Sequence, residues 1–297
     1  MLSILIPTYN YNVYPLVDNL VNRAIKANII FEIIVIDDGS SSNLNTSNRN
    51  INLLVNCTFI ERQTNKGRTQ TRQELAEKAQ YDWLLFLDAD VMPKNNDFLM
   101  QYISFTNKSY KAIFGGFAYH EDNYSLDKSL RYTFGKHREE IKAEVRNKHP
   151  YKVIISSNFM INKTAFLNLN KFLLKHAYGM DYSFGAALKD KQVPVLHIDN
   201  QVYHLQIDTN SDFLKKTQNA LQTLKAHNEF DKLKQSDISL LKAYHKIKKL
   251  GISKLFGFIL KAINKPIEKH LTSSKLPSLF IFDIYRLGYF CRIKRNS

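Results

Sequence analysis

Residues 83–93 read Trp83-Leu84-Leu85-Phe86-Leu87-Asp88-Ala89-Asp90-Val91-Met92-Pro93. The five consecutive apolar residues have the length and composition of a buried strand, and Pro93 is expected to end it. Asp88 and Asp90 then leave the strand on the same side, at the carboxyl edge where open parallel sheets bind their ligands. Two carboxylates in this arrangement suit a hard divalent cation that is completed by phosphate or water. The alternative is an aspartate pair that only caps a turn.

The composition indicates a globular chain with a sizeable core. It has 297 residues, of which 44% are hydrophobic, and two cysteines, too few for a disulfide framework. The N-terminus lacks the basic and apolar regions of a signal peptide, and no uncharged apolar run reaches the ~18 residues that a membrane span needs. We therefore expect a cytoplasmic protein.

Three further apolar segments are each followed by a polar turn, and helical patterns alternate with them. The spacing of apolar side chains predicts a helix over residues 14–27, and a second helix is expected from about residue 69 to residue 79. This alternation predicts a right-handed parallel β/α arrangement. The segments are residues 2–6 before Pro7-Thr8-Tyr9-Asn10, residues 31–36 before Asp37-Asp38-Gly39-Ser40, and residues 53–61 before Thr64-Asn65-Lys66-Gly67-Arg68.

Taken in order, the four motifs resemble those of the family 2 glycosyltransferases, which have the GT-A fold. The motifs are Ile-Pro-Thr-Tyr-Asn at residues 6–10, Val-Ile-Asp-Asp-Gly-Ser at 35–40, Asn-Lys-Gly-Arg at 65–68 and Leu-Phe-Leu-Asp-Ala-Asp at 85–90. The resemblance implies an α/β, Rossmann-like GT-A fold with a central, mostly parallel sheet flanked by helices. It also implies an inverting, metal-dependent transferase that uses a nucleotide-sugar, with a bias to UDP-sugars.

The resemblance also divides the chain. Residues 1–210 are expected to form the catalytic domain, with a nucleotide-binding half at 1–110 and a half for the donor sugar and acceptor at 111–210. Beyond residue 210 the motifs stop, and residues 211–297 are expected to form a basic, amphipathic helical C-terminal extension.

A nucleotide needs a flat apolar or aromatic wall and a carboxylate that binds its base and ribose. Tyr9 and Asp38 stand at the ends of neighbouring predicted strands and can supply both, and the resemblance adds Pro7 to these contacts. The alternatives are a core position for Tyr9 and a turn-capping role for Asp38 before Gly39.

Arg68 and Arg72 lie on the first turns of the helix that is predicted after Gly67. Arginines and helix N-termini both favour phosphate, so Arg68 is assigned to the nucleotide and Arg72 to the donor diphosphate, with Lys66 as an alternative to Arg68. The resemblance makes a divalent cation, Mn²⁺ or Mg²⁺, the cofactor. Asp90 lies further into the turn and is its expected direct ligand, whereas Asp88 is expected to serve the ribose or the metal.

Three further residues are assigned to the donor side. Glycines inside a strand often mark the close approach of a ligand or a bulge, which makes Gly116 in residues 112–119 a candidate. The resemblance places the segment that contains Asn158 under the donor sugar, and it makes His204 a ligand of the metal or the diphosphate. His197 is expected to be structural.

The general base is expected in residues 178–185, which read Tyr-Gly-Met-Asp-Tyr-Ser-Phe-Gly. Many relatives have Glu-Asp where this chain has Met180-Asp181, and the resemblance gives Asp181 the role of taking the proton of the acceptor hydroxyl. A helix-capping role is the alternative for Asp181. Because Met180 removes an acid, a catalytically idle scaffold protein that binds sugar nucleotides at the membrane also stays open.

The C-terminal segment carries much of the positive charge. Residues 242–297 hold 13 of the 42 Lys and Arg residues and only two acids, within a total net charge of +15. Residues 238–263 have the pattern of a basic amphipathic helix, and residues 276–293 that of an aromatic interfacial segment. Residues 238–297 are therefore expected to bind an anionic membrane peripherally, on its cytoplasmic face, beside a glycan or lipid-linked acceptor. Packing on the catalytic domain or in a homodimer is the alternative.

Two other function classes lack their sequence features. The basic excess lies in an amphipathic tail without a nucleic-acid motif, so no nucleic-acid partner is expected. A sugar nucleotidyltransferase needs a glycine-rich phosphate loop after the first strand, and residues 7–10 lack it. The expected activity is that of a hexosyl- or N-acetylhexosaminyltransferase.

Overall fold

The computed structural model describes residues 1–173, 180–227 and 238–293, and for residues 172–173, 180–183 and 226–227 it describes the backbone alone. The strands in these ranges are β1 (Leu2–Thr8), β2 (Phe31–Asp37), β3 (Cys57–Glu61), β4 (Trp83–Leu87), β5 (Val91–Pro93), β6 (Ala112–Phe114), β7 (Phe117–Ala118), β8 (Asn158–Asn162), β9 (Val195–His197) and β10 (Val202–His204).

The helices in the same ranges are α1 (Tyr14–Lys26), α2 (Asn45–Asn48), α3 (Arg68–Lys78), α4 (Phe98–Ile103), α5 (Ser129–Phe134), α6 (Ala143–Asn147), α7 (Lys163–Leu173), α8 (Met180–Asp190), α9 (Asn210–His227), α10 (Ser239–Lys249), α11 (Ser253–Ala262), α12 (Asn264–Ser273) and α13 (Leu279–Arg292). Short 3₁₀ turns cover Arg49–Leu53, Glu121–Asn123 and Leu126–Lys128, and a π-helical turn covers Gly135–Glu139.

Seven strands form the central sheet in the order β3-β2-β1-β4-β8-β6-β9. β1 pairs in parallel with β2 and β4, so Leu5 lies beside both Ile34 and Phe86, while β8 runs antiparallel to β4 and β6. The carboxyl ends of β1, β2 and β4 therefore meet at one edge, where the polar turns follow. The predicted α/β fold with a central, mostly parallel sheet flanked by helices is confirmed.

Both faces of this sheet are covered, as its apolar strands require. Neighbouring residues of β1 point to opposite faces, so Ile4 belongs to the core with α1, whereas Leu5 belongs to the core with α3, α7 and α8. On the second face, the rings of Phe86 and Phe159 stack with centroids 5.1 Å apart. A fully buried Phe contributes about 2 kcal/mol relative to an exposed one, so this packing stabilises the strand that leads to Asp88.

A second sheet of three strands, in the order β5-β10-β7, begins just after Asp90. β10 pairs antiparallel with β5, and the register sets His204 opposite Val91. The apolar strand β4 ends at Leu87, earlier than expected, and Pro93 is the last residue of the separate edge strand β5, a position that tolerates its missing N–H. The strand pair expected at residues 193–205 is divided between the sheets, with β9 in the large sheet and β10 in the small one.

The last described helix, α13, packs on earlier parts of the chain. This helix contacts α5, α9, α10, α11 and α12, and its side chains Phe282, Tyr285 and Phe290 are at most 2% exposed. The burial of these three side chains gives no support to the expectation that residues 276–293 lie in a membrane interface, which stays a prediction. Phe282, Tyr285 and Phe290 are covered by protein, whereas Phe280 of the same helix is 72% exposed.

A buried amide at residue 210 joins segments before and after it. Asn210, the first residue of α9, is 1% exposed. Its Nδ2 donates to the carbonyl oxygens of Leu126 and Thr272, each at 2.9 Å, and its Oδ1 accepts from the N–H of Leu130 at 2.8 Å. The predicted boundary at residue 210 stays a prediction, and this amide ties together the segments on both sides of it.

Residues 238–263 form two helices, α10 and α11, separated by a turn at Gly251 with φ of +75°. Leu241 of α10 is 2% exposed, whereas Phe258 of α11 is 72% exposed. The one amphipathic helix expected over this segment is therefore wrong, because the turn divides it into α10, which buries Leu241, and α11, which presents apolar side chains to solvent. In the three described ranges, no helix has the length and apolar character needed to cross a bilayer.

Candidate active site

An aspartate and a histidine meet at the carboxyl edge of the central sheet. The Nε2 of His204 lies 3.1 Å from Oδ2 of Asp90, and the two side chains are 15% and 30% exposed. The pairing of β10 with β5 brings the two residues together, because it sets His204 opposite Val91, the residue after Asp90. The same pairing lets the N–H of Leu205 donate to the Asp90 carbonyl oxygen at 2.9 Å. The structure thus brings together two of the three residues that were predicted as metal ligands.

Aromatic side chains surround this pair. The His204 ring lies 5.2 Å from the Phe117 ring and 6.0 Å from the Tyr119 ring, measured between centroids. The Nδ1 of His204 is buried, and within the described residues it has no hydrogen-bond partner. Burial raises the pKa of Tyr11, and the charge of Asp90 raises it further. The pair is thus partly screened from water, which strengthens its attraction for a cation.

Asp88 has a different set of partners. Arg68 donates from Nη2 to both carboxylate oxygens, at 2.8 and 2.7 Å, Arg72 donates at 2.9 Å, and the hydroxyl of Ser157 donates to Oδ2. Burial by itself would raise the pKa of Asp88, but the two guanidinium groups and the hydroxyl hold it below its ordinary value. This geometry gives Asp88 a role in holding the two arginines, and its predicted contacts with metal or ribose stay predictions.

The two arginines differ in exposure. Arg72 is 7% exposed, and its guanidinium lies 5.7 and 5.6 Å from the ring centroids of Phe86 and Phe159. The side chain of Arg68, the first residue of α3, is 46% exposed. The predicted contact of Arg72 with the donor diphosphate stays a prediction that this burial does not support, and Arg68 is the more accessible cation beside Asp88.

Asp38 organises the loop before α3. Its carboxylate is 5% exposed and accepts from Nη1 of Arg62 at 2.8 Å and from the backbone N–H groups of Lys66 and Gly67 at 3.0 and 2.8 Å. The turn after β2 is capped by its neighbour Asp37, which accepts from the N–H three residues further on at 2.9 Å. Asp38 therefore sets where α3 begins, and Lys66 contributes to the loop through its backbone.

Tyr9 lies outside the core. It is 53% exposed at the carboxyl end of β1, which excludes the alternative of a core aromatic. Pro7 is half-buried within β1. The next residue after Tyr9, Asn10, donates from its N–H to Oγ of Ser40 at 2.6 Å. The exposed ring therefore stands beside the turn that follows Asp38.

Asn158 is a buried connector between strands and is 0% exposed. Its Oδ1 accepts from the hydroxyl of Tyr102 at 2.7 Å, and its Nδ2 donates to the carbonyl oxygens of Gly116 and Asn200 at 3.0 and 2.8 Å. Each polar atom of the side chain is engaged by protein, so the predicted contact of Asn158 with the donor sugar has no support here and stays a prediction.

The glycine pair at residues 115–116 is required by packing. Gly116 has φ of +91°, and a Cβ added there would lie 2.8 Å from Nη2 of Arg146. A Cβ added at Gly115 would lie 2.3 Å from the carbonyl oxygen of Asn200. These contacts explain both glycines through the protein's own atoms and give no support to the predicted place of Gly116 beside the donor sugar.

Arg146 was not predicted, although it is 2% exposed and lies at the centre of this packing. Its guanidinium donates to the carbonyl oxygens of Phe114 and Ile198 at 3.2 and 2.8 Å, and to Nδ1 of His197 at 2.8 Å. Burial lowers the pKa of His197 to about 4, although a hydrogen bond to the Pro150 carbonyl opposes the change. His197 is thus a neutral, structural side chain, as predicted. A lone arginine in a charged helical segment gives no sequence signal of such burial.

A second unpredicted cluster borders His204. Arg131 donates from Nη2 to the hydroxyl of Tyr119 at 2.9 Å and to Oε2 of Glu139 at 3.0 Å, and the Tyr119 hydroxyl donates to Glu139. Gly135, the first residue of the π-helical turn, leaves room for the Tyr119 ring, because a Cβ added at Gly135 would lie 2.4 Å from it. The cluster holds the Tyr119 ring against His204, and the glycine inside a helical pattern was the available sequence signal.

Asp90 and His204 are the two side chains that converge at the predicted cation site. No group of three or more His, Cys, Asp or Glu side chains suited to a metal ion occurs in the part of the chain that the structure describes. Met180 and Asp181 begin α8, and their side chains lie outside the described residues. For the predicted general base, Asp181, the structure therefore gives the position of the backbone in α8 and no side-chain contacts.

Comparisons with known proteins agree with this architecture. Residues 3–169 match the model of a family described as glycosyl transferase family 2. An uncharacterized glycosyltransferase of Haemophilus influenzae is 35% identical over 107 residues, a match that covers 35% of this chain and 34% of the relative. The similarity thus spans about a third of that protein.

Two solved structures are similar to this chain. PcManGT, a mannosyltransferase from Pyrobaculum calidifontis solved in complex with GDP-Man and Mn²⁺, is 14% identical with a TM-score of 0.53, over 77% of this chain and 64% of its own. TarS of S. aureus, residues 1–349, is 17% identical with a TM-score of 0.46, over 96% of this chain and 89% of its own. The likeness to the mannosyltransferase supports the GT-A fold. Because the family model matches more than half of its length, the chain is a glycosyltransferase and belongs to glycosyl transferase family 2.

Proposed function

We propose that the chain transfers a sugar from a nucleotide-diphospho-sugar to a hydroxyl group of a glycan or lipid-linked acceptor, with inversion at the anomeric carbon. The observation that carries the proposal is the contact between Asp90 and His204, at the same sheet edge as Arg68 and Asp88. Open α/β sheets bind ligands at this edge, and these side chains are of the types that a diphosphate and its counter-cation require. The family membership supplies the reaction class.

A divalent cation, Mn²⁺ or Mg²⁺, fits the pair formed by Asp90 and His204. A carboxylate oxygen and an imidazole nitrogen converge within 3.1 Å, and both side chains are partly exposed. A hard cation with few protein ligands takes its remaining ligands from phosphate and water. When bound, the cation would neutralise charge that develops on the departing diphosphate. The presence of Mn²⁺ with GDP-Man in PcManGT agrees with this proposal.

The nucleotide is proposed to lie across the ends of β1 and β2. The exposed ring of Tyr9 offers a flat face to the base, and Pro7 lies two residues before it in β1. Asp38 already accepts three hydrogen bonds, and a carboxylate has about four lone-pair sites, which leaves capacity for a donor group of the base or ribose.

Arg68 is proposed to bind the diphosphate. Its guanidinium is held by the single negative charge of Asp88, and a diphosphate carries more negative charge and competes for the same donors. Arg72 stays buried and continues to compensate Asp88 when Arg68 turns to the ligand. Because α3 begins at Arg68, the positive end of its dipole adds to the attraction for phosphate.

Asp181 is proposed as the general base, on the strength of the resemblance at residues 178–185. As the acceptor oxygen attacks the anomeric carbon, the bond from that carbon to the diphosphate oxygen breaks. The diphosphate leaves with the electron pair, and the hydroxyl proton passes to the carboxylate. A single displacement of this kind inverts the anomeric configuration. The second candidate is a scaffold that binds the donor without turnover, since Met180 stands where many relatives have an acid.

A panel of UDP- and GDP-sugars, each with Mn²⁺ or Mg²⁺, tests the proposal through the release of nucleoside diphosphate. We expect release from at least one donor, with UDP-sugars as the expected class, and loss of release in Asp181→Asn. Asp190→Asn, on the same helix and with an exposed side chain, is the matched control. Binding of a donor without release in the unmodified protein would support the scaffold. Absence of binding and release with every donor would overturn the proposal.

A further inference from the structure

α11 presents an apolar face to solvent. Leu255, Phe258 and Ile259 are 60%, 72% and 48% exposed, and they recur at the three- and four-residue spacing of one helix face. Leu250 and Ile252 in the preceding turn are 63% and 44% exposed and extend the apolar surface along the chain. Monomeric soluble proteins rarely expose contiguous apolar surface, and such patches mark interaction sites.

The opposite face of α11 is fixed against α13. A Cβ added at Gly257 would lie 3.2 Å from Cβ of Cys291, and a Cβ added at Gly288 would lie 2.6 Å from the side chain of Leu260. Glycines on both helices thus allow a close approach, and Leu260 is 7% exposed in the contact. α11 cannot rotate to bury Phe258 without losing this packing.

Lysines border the exposed face. Residues 238–267 contain seven lysines and no acidic residue. Lys254 and Lys261 lie on α11, Lys248 and Lys249 lie just before it, and all four are exposed. This combination suits an anionic bilayer, where apolar side chains enter the boundary of the acyl chains and lysines meet lipid phosphates. A second copy of the chain would bring the same lysines together, which opposes a symmetric dimer through this face.

We propose that the face of α11 formed by Leu255, Phe258 and Ile259 docks the protein on an anionic membrane surface. The bilayer would cover the apolar strip, and the lysines around it would supply the electrostatic part of the affinity. Docking of this kind is peripheral and depends on salt. It does not depend on the chemistry at Asp90 and His204, so the two proposals fail separately.

The extension that carries α11 is linked to the candidate active site through residues 123 and 124. The hydroxyl of Tyr124 donates to the carbonyl oxygen of Lys275 at 3.0 Å, and the side chain of the neighbouring Asn123 donates to the carbonyl oxygen of His204 at 2.7 Å. One short loop therefore contacts both the extension and His204 of the proposed cation site. Docking through α11 would hold the site near the membrane surface, where a lipid-linked acceptor is found.

Co-sedimentation of the full chain with lipid vesicles tests the docking. We expect binding to phosphatidylcholine vesicles that contain phosphatidylglycerol, and little binding to pure phosphatidylcholine. Phe258→Asp should weaken the binding at least about tenfold, and the double variant Lys254→Glu with Lys261→Glu should also weaken it. Leu53→Asp is the matched control, because Leu53 is 83% exposed in the catalytic domain and lies outside the proposed face.

The exposure of the substituted side chains predicts that each variant folds, and its melting temperature checks this. The proposal is overturned if the unmodified chain binds vesicles with and without phosphatidylglycerol equally. It is also overturned if Phe258→Asp and the lysine variant bind the anionic vesicles as tightly as the unmodified chain. Sedimentation velocity without lipid provides a further outcome. A dimer that Phe258→Asp converts to a monomer would identify the face as a self-association surface and would also overturn the membrane proposal.

Discussion

The Nε2 atom of His204 lies 3.1 Å from Oδ2 of Asp90, although the two residues are 114 positions apart in the sequence. The contact depends on the antiparallel pairing of β10 with β5, a strand that begins one residue after Asp90. The small sheet therefore completes the turn after β4 with a side chain from a distant segment. The proposed cation site rests on this pairing.

Replacement of either side chain of the pair should weaken metal binding. Asp90→Asn and His204→Gln each remove one of the two converging ligands, and we expect the affinity for Mn²⁺ in the presence of a nucleoside diphosphate to fall about 100-fold. Isothermal titration calorimetry measures the change. Asp97→Asn and His120→Gln replace exposed side chains and should leave the affinity unchanged. An equal loss in these controls would contradict the assignment.

The two arginines on α3 should separate stability from donor binding. Arg72→Ala leaves Asp88 buried with one cation fewer, and we expect the free energy of unfolding to fall by about 3 kcal/mol. Arg68→Ala removes a more exposed partner and should cost less than about 1 kcal/mol, while it raises the KM for the donor. Urea denaturation and donor kinetics measure the two effects. The opposite ranking of the two variants in stability would refute the account of these arginines.

Gly116→Ala should be destabilising for two reasons, a φ of +91° and a Cβ that would lie 2.8 Å from the Arg146 guanidinium. Gly251→Ala is the matched control, since Gly251 has φ of +75° and no heavy atom within 4 Å of the added Cβ. Backbone strain is therefore common to both variants and costs about 1 kcal/mol, and the clash should add about 1–2 kcal/mol at residue 116. Equal melting temperatures for the two variants would show that Arg146 does not require the glycine.

His197 should make stability depend on pH. Burial lowers its pKa from 6.5 to about 4, so the unfolded chain takes up the proton before the folded chain does. The stability is complete above about pH 6.5 and is lost as the pH falls towards 4, by about 2 kcal/mol between about pH 7.5 and about pH 5. Urea denaturation at the two pH values measures this loss. Between these two pH values, the free energy of unfolding of His197→Gln should fall by about 2 kcal/mol less than that of the unmodified chain. The exposed control His149→Gln should show the same fall as the unmodified chain.

Local features of the fold could be predicted because single stretches of sequence determine them. β4 is an apolar run followed by turn residues, and the helix expected over residues 69–79 occurs as α3, Arg68–Lys78. The same reasoning predicted the place of Asp90, since a carboxylate after a buried strand falls at the edge of the sheet where ligands bind, and its role as a metal ligand stays a prediction.

Features that depend on distant partners could not be predicted in this way. The periodicity of α13 shows an apolar face but not whether lipid or protein covers it, and in the structure protein covers Phe282 and Tyr285. Asn158 and Arg72 have the residue types of ligand-binding side chains, yet both are buried by contacts with segments far along the chain. Their burial is a property of the assembled sheet.

The release of nucleoside diphosphate from the preferred nucleotide-sugar, measured in Mn²⁺, tests the proposed cation-assisted transfer most directly. We predict that Asp90→Asn slows the release at least about 100-fold, that Asp97→Asn releases at the rate of the unmodified chain, and that chelation of the cation stops the release. Release by Asp90→Asn at the unmodified rate would contradict the claim that Asp90 and His204 hold the cation.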